Sequence, residues 1–156
     1  MKFKDPNALS SVAEFHDTFG LPVVESPGIP SKERCELRIN LLQEELNELA
    51  EAIKDKDIVE VADALSDLQY VLSGAVLEFG LADRFKALFD EVHRSNMSKT
   101  CSTEEEAHET IRHYKDTKKQ EGYVEPKNDK FIVYRKGDGK VLKSVKYSEA
   151  NLKSIV

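Results

Sequence analysis

The chain has 156 residues, with 23 Lys and Arg against 29 Asp and Glu and a net charge of −6. That length fits one domain that can bury a core without disulfides or a structural metal, and the acidic balance argues against the basic surface of a nucleic-acid-binding protein. No apolar run resembles a signal peptide or a membrane span, and Cys35 and Cys101 stand alone, so we expect a cytoplasmic protein with reduced thiols that binds neither nucleic acid nor membrane.

The first third of the chain predicts two helices joined by an extended connector. Apolar residues recur at helical spacing over residues 8–19, and Gly20 ends the run. The connector at 21–30 contains three prolines and a glycine, and we expect it to lie extended on the core. From a candidate N-cap, Ser31, the second helix carries an apolar seam in steps of four and three. The seam consists of Cys35, Ile39, Leu42, Leu46, Leu49 and Ile53.

The next segment predicts a tight helical hairpin and a fourth helix. Asp57, with Glu60 three residues later, resembles a capping box that opens the third helix. Residues 68–79 of this helix hold one charge in twelve positions, so we expect that half to be buried. Gly80 ends it, and a fourth helix runs to a polar segment at 93–99, which gives four helices that can enclose a core. The apolar stripe of the third helix is Ile58, Val61, Leu65, Leu68, Leu72, Val76 and Phe79.

The C-terminal third predicts a peripheral helix and a β-hairpin. The charged segment 103–121 follows a cap signal and is closed by Gly122, and residues 131–146 alternate around an Asp138-Gly139 turn. We therefore predict an all-α fold of four to five helices with a small C-terminal β-hairpin. The predicted division is a helical domain at 1–122 and a hairpin appendage at 123–156 packed on the same domain.

Six carboxylates form two sets on the second and third helices. Residues three and four apart share a helix face, so two antiparallel helices could aim both sets at one place. Helical projection places Glu45 and Glu48 beside the apolar seam and Glu44 further outward. The two sets are Glu44, Glu45 and Glu48, and then Glu60, Asp63 and Asp67.

These acids could form an ordinary solvated face, but their surroundings favour a metal. The second set adjoins an apolar half-helix, so we expect it to face a second protein surface. Few cations lie nearby in the sequence, and burying unpaired carboxylates costs free energy unless a cation compensates their charge. All-oxygen ligation favours Mg²⁺, with Mn²⁺ possible, and Mg²⁺ recruits substrate phosphates. A di-iron bundle needs Glu-x-x-His pairs, and the four histidines stand in no such spacing with these acids.

The order of these acids resembles a known family. EELNE, then EVAD after eleven residues, then Asp67 before LQYVL is similar to the MazG-like all-α nucleoside triphosphate pyrophosphohydrolases over about residues 35–100. That superfamily includes phosphoribosyl-ATP pyrophosphohydrolases and dimeric dUTPases. The resemblance implies a MazG-like helical bundle that uses Mg²⁺ to cleave a (deoxy)nucleoside triphosphate to monophosphate and pyrophosphate.

The resemblance also implies roles for individual residues. Glu44 and Glu45 match the catalytic acids, and Glu44 would orient or deprotonate the attacking water. On the third helix, Ala64 stands where the family often has Glu. Matching the family by spacing selects Glu60 and Asp63 as ligands, and matching it by the apolar run that follows selects Asp67. The implied metal ligands are Glu45, Glu48, Glu60, Asp63 and Asp67.

Residues outside the acidic sets are candidate contacts for a nucleotide substrate. Arg94, Asn96 and Lys99 resemble the family's phosphate and base contacts, and His16 could stack on a base. Family members build sites at subunit interfaces, which implies a homodimer or homotetramer. The alternatives are a non-catalytic helical oligomerisation module, in which the acids only aid solubility, and a nucleotide sensor that binds without turnover.

Overall fold

The computed structural model describes residues 2–156 and confirms a helical fold with a small C-terminal β-hairpin. No helix in the described range is long and apolar enough to cross a membrane. Both cysteines are free thiols. The helices are α1 (Ala8–Thr18), α2 (Lys32–Asp55), α3 (Ile58–Glu78), α4 (Ala82–Met97) and α5 (Glu104–Lys118), and the strands are β1 (Gly122–Lys127) and β2 (Lys130–Arg135).

The chain divides into two compact units. The first extends from the N-terminal residues to Lys86 and includes Val156, and the second comprises residues 87–155. This division falls within α4, whereas the sequence-based domain boundary at residue 122 stays a prediction.

The first unit is organised around the hairpin of α2 and α3. The Ser31 hydroxyl accepts the Arg34 N–H at 3.4 Å, as predicted for an N-cap. At the turn, Lys56 takes a left-handed conformation with φ of 57°. Asp57 then caps α3, because its Oδ1 accepts the N–H groups of Val59 and Glu60 at 2.9 and 3.2 Å. A two-residue connection therefore returns α3 antiparallel to α2, on which it packs.

Residues 73–78 at the end of α3 are mostly buried, but Gln69, Tyr70 and Leu72 are exposed, so the burial predicted for residues 68–79 is confirmed only in part. The buried residues of this segment are Ser73, Gly74, Val76, Leu77 and Glu78. Helix α1 packs on α3 as well.

The proline-rich connector lies on the end of α3. The Val24 N–H donates to the Leu77 carbonyl and the Gly28 N–H to the Phe79 carbonyl, each at 3.1 Å. The contact is so close at Gly80 that an added Cβ would overlap the Ser26 carbonyl, and Gly80 also has a φ of +67°. The predicted extended connector is thus confirmed as a strap over the helix terminus.

A buried charge network joins the connector and three helices. The Glu78 side chain is only 1% exposed and pairs with the guanidinium groups of Arg34 and Arg38. Arg38 Nη2 also lies 3.3 Å from His16 Nε2, and His16 Nδ1 lies 2.8 Å from the Pro22 carbonyl oxygen. Since a carbonyl only accepts, His16 Nδ1 carries the proton and Nε2 accepts from Arg38.

Much of the predicted apolar seam and stripe is exposed in the single chain. Three residues along α2 and three along α3 are between 41% and 76% exposed, although these faces are the most regular apolar patterns of the sequence. The single chain therefore leaves a large part of both helical faces uncovered. The six residues are Ile39, Leu46, Ile53, Ile58, Leu65 and Leu72.

The second unit has a core of its own. Helix α5 packs on both strands, and its predicted apolar positions Ala107, Ile111 and Tyr114 face that core. The predicted helix is confirmed, its peripheral position relative to the helical core stays a prediction, and within the second unit α5 is the element on which both strands pack. Cys101, Val133 and Leu142 complete the core.

The hairpin forms with a different partner strand from the one predicted. Strand β2 pairs with the preceding β1, in a register that places Gly122 opposite Arg135. Asn128 and Asp129 make the turn with φ of 46° and 50°, which both central residues of a type I′ turn require. The Asp138-Gly139 segment is also a turn, but the chain beyond it forms only an isolated bridge between Tyr134 and Val141.

Replacing Glu78 by Gln should lower the free energy of unfolding by about 3–5 kcal/mol near neutral pH, because Arg38 stays buried without its carboxylate. Burial raises the pKa of Glu78, but hydrogen bonds from Arg34 and Arg38 outweigh burial and hold this pKa below its usual 4.5. The stabilisation is therefore complete above pH 4.5 and disappears as pH falls through the folded-state pKa.

Urea unfolding of the wild type and of Glu78→Gln, at neutral and at acidic pH, measures this difference. Glu36→Gln is the matched control, because Glu36 is exposed and, among residues 2–156, forms its one ion pair with Lys32 at 3.6 Å. Equal stability of Glu78→Gln and the wild type at neutral pH would contradict the role of the network.

Candidate metal centre

The α2–α3 hairpin brings five predicted acids from both helices together. Burial raises the pKa of the Glu45 carboxyl, and the charges of Asp67, Glu48, Glu44 and Asp63 raise this pKa further. Asp63 and Asp67, which lie 18 and 22 positions from Glu45 in the sequence, could exert this effect only because α3 returns alongside α2. The two acidic sets therefore form one cluster, which we call the carboxylate cluster: Glu44, Glu45, Glu48, Asp63 and Asp67.

The carboxylate cluster has no counter-charge of its own. Glu45 is half-buried, and its Oε2 atom is buried without a hydrogen-bond partner. None of the five acids forms an ion pair with any residue in the range 2–156. Arg34 and Arg38 on α2 are paired with Glu78, and Lys54 near the end of α2 forms no ion pair with these acids. A buried carboxylate oxygen without a partner costs free energy of folding. A hard divalent cation, which prefers oxygen ligands, would balance the negative charge of these carboxylates.

The cluster is an assembly of neighbours and not a closed chelate. Among residues 2–156, no three His, Cys, Asp or Glu side chains are arranged to enclose a metal ion. Four of the five side chains are exposed, those of Glu44, Glu48, Asp63 and Asp67. These exposed carboxylates can rotate, so a cation would be bound by convergence of side chains around the fixed oxygen of Glu45.

Glu60 lies at the edge of this arrangement. It is not among the acids whose charge acts on Glu45. Instead it lines an open acidic groove at the α2–α3 turn, together with Glu48, Glu51 and Asp57. Ala64, which occupies the position where the resemblance leads us to expect Glu, is buried and only 4% exposed. That position therefore serves packing, and the role of Asp67, one turn later, as a ligand stays a prediction.

Three predicted substrate contacts at and just beyond the end of α4 have partners within the second unit. Arg94 donates to both oxygens of Glu91 at 2.7 and 2.8 Å and to the Glu149 carbonyl at 3.0 Å. The Arg94 guanidinium, with the Asn151 N–H, lowers the pKa of Glu91 to about 2. Lys99 Nζ donates to Asn96 Oδ1 at 2.7 Å. The roles of Arg94, Asn96 and Lys99 in substrate binding stay predictions.

His16, the fourth predicted substrate contact, is a buried structural residue. It is only 2% exposed, and both ring nitrogens are engaged, one with the Pro22 carbonyl and the other with Arg38. Stacking on a base would require the ring to leave this network. Sequence reasoning missed the network itself, although a single charge, Glu78, in an otherwise apolar half-helix was the signal that could have revealed it.

Comparison with known proteins decides the family. Residues 12–96, more than half of the chain, match the phosphoribosyl-ATP pyrophosphohydrolase family. The chain belongs to this family. The matched range includes the whole carboxylate cluster, and the predicted resemblance to MazG-like pyrophosphohydrolases is confirmed.

The pyrophosphohydrolase is also similar to an uncharacterized protein of Acanthamoeba polyphaga mimivirus, with 24% identity and 94% of each chain covered. Membership of the phosphoribosyl-ATP pyrophosphohydrolase family makes the present chain a hydrolase of the nucleotide pyrophosphohydrolase type. Helix α5 and the β-hairpin lie beyond the residues that match the family.

In metal-free buffer, Glu45→Gln should raise the melting temperature of the pyrophosphohydrolase by about 2 °C, the effect of roughly 0.5–1 kcal/mol in a chain of this size. The neutral amide removes the cost of burying a charge and the repulsion by neighbouring acids, which together raise the pKa of Glu45. Because ionised Glu45 opposes folding, the gain should be complete above its raised pKa and vanish as pH falls below the usual 4.5. Calorimetry against Glu36→Gln measures it, and an unchanged or lower melting temperature would argue against crowding of the acids.

Proposed function

We propose that the chain is a divalent-cation-dependent enzyme that cleaves a (deoxy)nucleoside triphosphate to its monophosphate and pyrophosphate. The observation that carries the proposal is the carboxylate cluster, with the unpartnered buried oxygen of Glu45 at its centre. Its position within residues 12–96, the range that matches a pyrophosphohydrolase family, supports the same reaction class. Mg²⁺ is the proposed cation, and Mn²⁺ is the possible substitute.

The proposed cation ligands are the acids that act on one another across the hairpin. Glu45, Glu48, Asp63 and Asp67 would hold the ion, and Glu60 would extend the site toward the turn through its shared groove with Glu48. When bound, such a cation lowers the pKa of a water ligand and offsets the charge of the substrate phosphates.

Glu44 is the proposed base. It lies outward of Glu45, is exposed, and is close enough to contribute to the raised pKa of Glu45. An acid that is not needed as a ligand can accept the proton of the attacking water. The water oxygen then bonds to a phosphorus of the α–β anhydride, and the bridging P–O bond breaks to release pyrophosphate. Arg94, Asn96 and Lys99 are the proposed contacts to phosphate or base.

The activity test uses each ribo- and deoxyribonucleoside triphosphate with Mg²⁺, followed by ³¹P NMR. The wild type should release monophosphate and pyrophosphate from at least one of them. Asp67→Asn should lower kcat/KM by about 100-fold or more, equivalent to ~2.7 kcal/mol of transition-state stabilisation, while leaving the fold intact. Glu36→Gln, on the exposed surface of α2 at the start of the helix, should retain wild-type activity.

Absence of monophosphate and pyrophosphate in every reaction of folded wild-type protein would reject the enzyme. Titration calorimetry on the same samples separates the remaining alternatives. Nucleotide binding without turnover would identify a sensor, and no nucleotide binding would favour a helical oligomerisation module.

We also propose that the exposed apolar faces of α2 and α3 pack against a second copy of the chain, in a homodimer or homotetramer. Leu46, Ile53 and Leu65 are each at least 50% exposed and belong to the two helices that carry the cluster. Exposed apolar patches of this regularity typically mark protein interfaces, and a face used by two identical copies needs to match only itself. Covering these helices would also exclude water from the carboxylate cluster, which strengthens its electrostatic interactions.

Leu65→Lys should therefore lower the mass measured by multi-angle light scattering to that of one chain, because a charge in an apolar interface loses its solvation. The wild type should have the mass of a dimer or a tetramer. Ile29→Lys is the control, because Ile29 is 83% exposed but lies in the connector. A wild type with the mass of a single chain at assay concentration would contradict the proposed interface.

A further inference from the structure

The second unit contains a cleft whose walls are strongly basic. Its volume is about 410 Å³, within the range of roughly 300–1,000 Å³ that small-molecule sites occupy. Each lining residue is either a cation or neutral, so no acidic side chain lines this cleft. The cations are Lys99, Lys118, Arg135, Lys140 and Lys143, and we refer to the site as the basic cleft.

Rigid elements bring these cations together from distant parts of the sequence. Lys118 is the last residue of α5, and Arg135 is the last residue of β2. The segment that carries Lys140 and Lys143 is held against β2, because the Leu142 N–H donates to the Val133 carbonyl at 2.8 Å. The hydroxyl of buried Tyr114 also accepts the Lys143 N–H at 3.2 Å. The core of the second unit therefore fixes the backbone of the basic cleft.

Most of these cations retain an uncompensated charge. Within residues 2–156, Arg135 is the one member of the set that forms an ion pair, with Asp138. Lys118 Nζ lies 4.9 Å from the centre of the Tyr114 ring, and Lys99 donates to the neutral amide of Asn96. Neutral partners orient these amines without cancelling their charge. An anion in the cleft would supply the counter-charge that these amines lack within the described residues.

We propose that the basic cleft binds the phosphate groups of a small polyphosphate anion, either pyrophosphate or the triphosphate of a nucleotide. Ammonium and guanidinium groups that line one cleft are suited to the several charged oxygens of such an anion. All five cations lie outside residues 12–96, the range that matches the pyrophosphohydrolase family. The proposed binding site therefore lies in the C-terminal segment and does not depend on the carboxylate cluster.

The surroundings of the cleft favour a small anion over a nucleic acid. A nucleic acid follows an extended basic track, whereas this chain has a net charge of −6 and three consecutive acids, Glu104, Glu105 and Glu106, open α5. Single strands are also held by stacking on exposed aromatic rings. The Tyr114 ring in the cleft is only 8% exposed, so it cannot receive a base.

The test is titration calorimetry of the full chain with pyrophosphate, tripolyphosphate, ATP and AMP. The protein is stripped of metal on a chelating resin, because a soluble chelator such as EDTA is itself a polyanion that could occupy the cleft. Pyrophosphate and tripolyphosphate should bind without Mg²⁺, and AMP should bind at least about 10-fold more weakly. Binding of ATP but not of pyrophosphate would overturn the proposal, since it would indicate recognition of the nucleoside.

Matched variants locate the binding. Lys118→Gln/Lys140→Gln should weaken pyrophosphate binding by about 10-fold or more, with an unchanged thermal unfolding curve because both side chains are exposed. Lys127→Gln/Lys130→Gln removes two exposed hairpin cations outside the cleft and should change the affinity by less than about 2-fold.

The remaining outcomes separate this proposal from the proposed hydrolase. Asp67→Asn should leave metal-free pyrophosphate binding unchanged even where it abolishes hydrolysis. No pyrophosphate binding by folded wild type at millimolar ligand, equal losses in both double variants, or binding of single-stranded RNA without binding of pyrophosphate would each overturn the basic cleft as an anion site.

Discussion

The α2–α3 hairpin is the constraint on which the candidate site depends, because its two ends are both fixed. At one end, left-handed Lys56 and the Asp57 cap return the chain within two residues. At the other end, buried Glu78 on α3 pairs with Arg34 and Arg38 on α2. Carboxylates in the middle of both helices are therefore held side by side, although their mutual repulsion would separate them in a freer arrangement.

The distribution of charge gives the molecule its chemical character. Arg34 and Arg38 pair with Glu78, no residue within 2–156 forms an ion pair with the carboxylate cluster, and ionised Glu45 opposes folding. Sites that bind ligands commonly reduce the stability of the fold in this way. The second unit has the opposite imbalance, because five cations converge in a cleft with a single carboxylate partner. Within one acidic chain, each imbalance is local, and each predicts a ligand of the opposite charge.

Local chemistry made a large part of the fold predictable. Helical periodicity, the Ser31 and Asp57 caps and the pattern of acids indicated the helices, the tight hairpin and the carboxylate cluster, because each depends on residues close in sequence. Tertiary packing determined the rest. The burial of His16 depends on Arg38 and the connector, and the strand that pairs with β2 was decided by the positive φ of Asn128 and Asp129. The regular apolar faces of α2 and α3 could not show that much of their surface remains exposed in one chain.

The central claim is that the carboxylate cluster binds a divalent cation, and Mn²⁺ titration followed by electron paramagnetic resonance tests it most directly. Free Mn²⁺ gives a sharp signal that broadens on binding, so the measurement counts bound ions without relying on turnover or on stability. We expect the wild type and Glu36→Gln to bind Mn²⁺ and a Glu45→Gln/Asp67→Asn double variant to lose this binding. Equal Mn²⁺ binding by the double variant, or none by the wild type, would contradict this claim.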